Sequence, residues 1–126
     1  MIRTAEDAVR FAQEWVAAWS RRDYESVLTH YAAELVFMSP KAHQITGHGR
    51  VEGKAALRSY WQQAVARIPS IQFTLDRAIW EEATRTLVVV YFTVLGDARL
   101  RACEIMRFDE AGEYVVAGEA FYGAPF

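Results

Sequence analysis

The side chain best suited to do chemistry in this sequence is a lone carboxylate, Glu104, set into an apolar strand face. Leu100, Ala102, Glu104, Met106 and Phe108 alternate with Arg101, Cys103, Ile105 and Arg107. Side chains along a strand point to opposite faces with period two, so the first set faces a core or a cavity. An ionised carboxylate there is costly unless it is paired, hydrogen-bonded or protonated. Burial disfavours the charged form and raises the pKa. Neutral, Glu104 can donate to a carbonyl or enolate oxygen; ionised, it can act as a general base. The competing reading is a structural glutamate paired with an Arg or a Tyr, or one at a wet strand end.

Other reactive types are sparse. His43 and His48 fall in a glycine-containing stretch, where histidine titrates in a useful range for acid or base work. The run HisGlnIleThrGlyHis matches none of the usual zinc spacings, so no metal site is expected. Ser39 stands at a strand end, where a hydroxyl most simply bonds backbone, and without a placed base it is no nucleophile. Cys103 points away from Glu104, toward the outer face. Glu119 lies opposite the face of Tyr122 and is expected to pair with Arg101 or Arg107 across strands. Gly47 to Gly53 lacks a phosphate-loop pattern, and no cofactor is expected.

The elements that must position these groups follow from periodicity. Thr4 with Asp7 resembles a capping box, and Val9, Ala12, Val16 and Trp19, widened by Phe11 and Trp15, form a helical apolar stripe. Asp23 caps a second helix predicted to run through Tyr31. Leu35 to Ser39 reads as a strand stopped by Pro40, and Lys41 to Gly53 as a loop or loose hairpin. Leu57, Tyr60, Trp61, Ala64, Val65 and Ile68 keep helical register until Pro69 ends the third helix. The period then changes to two, giving strands over Ile71–Trp80, Thr86–Leu95, Arg99–Phe108 and Tyr114–Tyr122, joined by turn-forming residues. Helices followed by an antiparallel meander mean α+β, with helices on one face of the sheet. Thr86–Leu95 is apolar on both faces, which suits a second copy against the outer face of the sheet.

Length and composition fit this picture. The chain of 126 residues makes one domain, 1–126, and 52% of it is hydrophobic. Four Trp, six Tyr and seven Phe exceed what core filling asks for and could wall a cavity for a flat apolar ligand or an interface. A net charge of −2 argues against a general nucleic-acid binder, and no run is long and apolar enough for a membrane span. One cysteine and no secretory h-region make the cytoplasm the default compartment.

This element order, with GlyLysAlaAlaLeuArgSerTyrTrp opening the third helix, resembles the nuclear transport factor 2-like superfamily, above all its ketosteroid isomerases and SnoaL-like polyketide cyclases. The resemblance runs from about Ala5 to Tyr122. It implies a cone-shaped, strongly curved antiparallel or mixed sheet wrapped around three N-terminal helices, a deep apolar pocket and a homodimer. Laid on this sequence, the isomerase pattern puts the catalytic tyrosine on Trp15, the aspartate base on Ser39 and the protonated aspartate on Glu104. The aromatic pair falls on Tyr60 and Trp61, and a pocket aromatic on Tyr122. Only the carboxyl donor and the aromatic lining persist in kind, so ketosteroid isomerisation by the standard route is not expected. The expected site is Glu104, Tyr60 and Ser39 for chemistry, with Trp15, Trp19, Phe37, Trp61, Met106, Tyr122 and His43 against a small hydrophobic carbonyl ligand. The alternative is a non-catalytic binding or dimerisation domain.

Overall fold

The computed structural model covers residues 1–126. Helix α1 spans Ala5–Ser20, and its N-terminus is closed by the reciprocal Thr4–Asp7 capping box. A single turn, α2 (Tyr24–Leu28), is capped by Asp23. Strand β1 (Tyr31–Met38) leads into a short helix α3 (Pro40–Thr46) and strand β2 (Arg50–Glu52). Helix α4 (Lys54–Arg67) precedes four long strands, β3 (Ile71–Glu81), β4 (Thr86–Leu95), β5 (Ala98–Phe108) and β6 (Val115–Pro125). The strands form one sheet in the order β2-β1-β6-β5-β4-β3, with β1 parallel to β6 and every other pairing antiparallel.

The α+β class and the curved, unclosed mixed sheet agree with expectation. Its curvature has a local cause. Register shifts interrupt β1, β3, β5 and β6, at Tyr31/Val36, Leu75/Arg77 and around Leu100 and Phe108, and such irregularities bend strands and sharpen their twist. Helix α1 lies across β3 inside the bend, burying Ala8, Ala12, Trp15, Val16 and Trp19. Arg22 adopts a left-handed backbone (φ 64°) and donates to the carbonyls of Val65 and Ile68, both at 2.6 Å. It thereby satisfies the carbonyl of Ile68 and adds a second donor to that of Val65, which the Ile68 N–H already reaches at 3.3 Å.

Two expectations are corrected. Tyr31 is not the end of the second helix but the first residue of β1, paired beside Val115 of β6. The segment from Lys41 to Gly53 is not a loop: it holds α3 and β2, so four helices stand where three were expected. The local chemistry explains α3. The Ser39 Oγ accepts the Lys41 N–H at 3.1 Å, Pro40 begins the helix with a preset φ, and Gly47 ends it at φ 85°.

The alternation of β4 also matches the sequence. Leu87, Val89, Tyr91 and Thr93 are buried inward, while Val88, Val90, Phe92 and Val94 stand half-exposed outside. Glu119 makes no ion pair with Arg101 or Arg107, contrary to expectation. It stands opposite Ile105, and Arg101 instead donates to Asp76 at 3.0 Å.

Candidate functional site

The bend of the sheet leaves a cavity between β4, β5, β6 and the helices, about 500 Å³ of atom-free space when the open solvent at its mouth is included. Fourteen of its 17 lining residues are hydrophobic. Trp15 and Trp19 reach it from α1, Phe37 from β1, Tyr60 and Trp61 from α4, Tyr91 from β4 and Tyr122 from β6. The rings pack mainly edge to face: Trp19 and Trp61 have centroids 4.9 Å apart, Trp15 and Tyr91 5.1 Å, Tyr31 and Trp61 5.3 Å. Such contacts fix the ring orientations and make a wall rather than a fluid filling.

Glu104 lies in that wall, 5% exposed. Its register partners are Val89 on one side and Ala120 on the other, which leave no cation beside it. Desolvation therefore dominates and pushes the carboxyl up to about 7, while a hydrogen bond from Tyr31 pulls it part of the way back. That bond runs from the Tyr31 hydroxyl to Glu104 Oε2 at 3.0 Å, deep in the interior. Burial and the nearby carboxylate hold the Tyr31 phenol well above its ordinary range, so it stays a donor. The Trp15 N–H eases that shift without reaching hydrogen-bonding geometry. Glu104 thus combines both readings of the sequence, being bonded to a tyrosine and lining the cavity.

The remaining polar groups gather around it. Burial raises the phenols of Tyr60 and Tyr122, and Glu104 raises both further. The Ser39 hydroxyl, in the same lining, offsets part of the rise in each. Ser39, Tyr60, Glu104 and Tyr122 therefore converge on one cavity. Among the residues expected to contact ligand, Trp15, Trp19, Phe37, Trp61 and Tyr122 line it. Met106 does not: it is wholly buried and packs one inward position deeper along β5, beyond Glu104. His43 does not either, because α3 turns its side chain out to solvent, and His48 beyond the helix is exposed too.

Four contributors to the site escape a reading of the sequence, Tyr91 of β4 and three more. Tyr31 is hidden by its apparent place in a helix. Lys41, half-buried in the cavity wall, follows Ser39 and Pro40 in what resembles a polar loop. Phe73 of β3 joins Tyr91 with centroids 4.7 Å apart, and the alternation of β3 is the signal that could have found it. No group of three or more His, Cys, Asp or Glu side chains is placed to hold a metal ion. No helix is long and apolar enough to cross a membrane.

With this geometry in place, similarity to known proteins becomes informative. The SnoaL-like domain family matches residues 12–117. A SnoaL-like protein of unknown function from Burkholderia thailandensis is similar, with 29% identity, a TM-score of 0.84, and 96% of this chain and 98% of that one covered. AusH from Aspergillus nidulans shares the fold at 17% identity and TM-score 0.76, over 98% of this chain and 88% of that one. So does a steroid delta-isomerase from Pseudomonas aeruginosa, at 21% identity and TM-score 0.67, over 89% and 76%. Among curated proteins no sequence matches the chain.

Proposed function

This chain belongs to the SnoaL-like domain family, within the nuclear transport factor 2-like superfamily, and from that premise we propose that it is a small-molecule isomerase or cyclase. It works by acid–base chemistry on a hydrophobic carbonyl compound. The observation that carries this reading is the Glu104 carboxyl, held in an apolar cavity with its proton leaving at about pH 7. A group that is half protonated at the working pH is suited to take a proton from one atom and return it to another. Oε2 accepts from the Tyr31 hydroxyl, which leaves Oε1 without a hydrogen-bond partner from the protein and assigns it the proton transfer. The carbon next to a carbonyl gives up its proton to Oε1, and the resulting enolate oxygen is met by the neutral phenols of Tyr60 and Tyr122. Because burial raises both phenols, they keep their protons and donate without being consumed. Return of the proton to a different carbon completes an isomerisation; alternatively the enolate carbon attacks a second carbonyl, and the alkoxide formed there takes the proton back from Glu104 to complete a ring closure.

One observation favours the other reading, a non-catalytic ligand-binding or dimerisation domain. Ser39 Oγ is committed to capping α3, which leaves Glu104 as the single carboxyl of the cavity. Solvent deuterium exchange separates the two. A panel of bicyclic aromatic ketones is incubated with the protein in D₂O, and exchange next to the carbonyl is followed by NMR. The proposal expects protein-catalysed exchange that Glu104→Gln lowers by about 100-fold or more, in the range of a lost general base. Thermal stabilisation by the same ketones with no exchange would support binding alone.

The same reading sets two copies together through the outer sheet face, where Val88, Val90, Phe92 and Ile105 stand half-exposed. It also places the protein in the cytoplasm, where the lone thiol of Cys103 stays reduced.

A further inference from the structure

The polar groups of the cavity are unequal in kind, and the imbalance describes what they await. Lys41 is the one cation among the 17 lining residues, half-buried on α3 beside an otherwise aromatic wall. Its ammonium sits 4.7 Å from the centroid of the Tyr122 ring. None of the five ion pairs of the molecule includes it. Desolvation alone depresses its pKa, with no acid nearby to counter the loss of water. Glu104 does not serve as its counter-ion either. A cation alongside would pull that carboxyl down, yet only Tyr31 does so. Cation and acid thus line one hollow without forming an ion pair.

The indoles extend the imbalance. Trp19 Nε1 lies in the same lining, buried, with no acceptor in reach. An indole nitrogen and an ammonium can only donate, and the Ser39 oxygen already accepts one bond, from the Lys41 N–H. The cavity thus offers a surplus of donors and one unpaired positive charge to whatever enters it. Unpaired charge at a partly dry site is unfavourable until a partner of opposite sign arrives.

We infer that the ligand is an amphipathic anion, a ring-bearing carbonyl compound that also carries a carboxylate, with the rings in the aromatic hollow and the carboxylate on Lys41 Nζ. The inference rests on the proposed small-molecule function and narrows its substrate class. Lys41 is here a specificity-determining residue, not an acid or base.

The test compares two probes of equal shape, 2-naphthoate and its neutral counterpart methyl 2-naphthyl ketone, by titration calorimetry at about pH 6. At that pH an aromatic carboxylic acid is ionised, while Glu104 still holds most of its proton. A charge-assisted contact is worth roughly tenfold or more in affinity, so the unaltered protein is expected to prefer naphthoate by about that factor. Lys41→Met should abolish the preference while still binding the ketone, which shows that the variant is folded, and Lys41→Arg should retain it. Equal affinity for both probes in the unaltered protein, or a preference that survives Lys41→Met, overturns the anionic ligand and leaves the proposed function intact. Failure of both probes to bind overturns the inference together with the reading beneath it.

Discussion

Replacing Glu104 with Gln should change how the stability of this protein depends on pH, by an amount the structure sets. In the unfolded chain the carboxyl ionises near its ordinary 4.5, whereas in the folded protein it ionises at about 7. Between those values the unfolded chain has released the proton and the folded chain still holds it. Raising the pH therefore favours unfolding across that window, and the contribution is fully present below it and lost above it. A difference of this size at about 1.4 kcal/mol per pH unit amounts to roughly 3 kcal/mol. Glutamine keeps an oxygen that can accept from Tyr31 but cannot titrate. Unfolding free energies of the two proteins are measured by urea titration with tryptophan fluorescence, from about pH 4 to pH 8. The unaltered protein should lose about 3 kcal/mol relative to Glu104→Gln over that range and then run parallel to it. His30, lowered by burial, and Asp7 and Asp23, lowered by local hydrogen bonds, titrate alike in both proteins and cancel in the difference. A difference that stays flat from acid to neutral pH would refute the burial of this carboxyl.

Tyr31→Phe removes the one group that eases ionisation of Glu104, so the window should extend upward, at a cost of roughly 1 kcal/mol in acid from the lost hydrogen bond; the same urea series reads both. Gly112→Ala should destabilise by about 2 kcal/mol or more in urea, because φ is +72° and the new Cβ would stand 2.5 Å from the Ile2 carbonyl oxygen. Val90→Glu, on the outer face of β4, should convert a dimer into a monomer in size-exclusion chromatography; a monomer before the substitution would remove the proposed pairing.

The parts of this fold that can be read from sequence are those with many repeats of one period. Ile71 to Tyr122 alternates over four strands, and the turns between them carry suitable residues, so the meander and the inward face of Glu104 follow directly. Tyr60 and Trp61 emerge for the same reason from the stripe of α4. Helix α3 is different. Only Ala42 of its seven residues is buried, so it has no stripe, and its signals are confined to the Ser39 cap, Pro40 and Gly47. Without that helix Lys41 looks like a solvated charge. Tyr31 is hidden by a different ambiguity: its spacing from Val27 and Leu28 satisfies a helix, while its pairing to β6 depends on a residue more than 80 positions away. The Tyr31–Glu104 bond is therefore a tertiary fact, visible once β1 is seen to run parallel to β6.

Both the chemistry and the stability prediction depend on the protonation of one side chain, and carbon-13 NMR of the labelled Glu104 carboxyl across pH 3 to 10 observes it directly. The account predicts a titration midpoint at about 7, moving upward in Tyr31→Phe. A midpoint at the ordinary carboxylate position, near 4.5, would mean that the group is bathed in water and has no part as the acid or base of an apolar cavity.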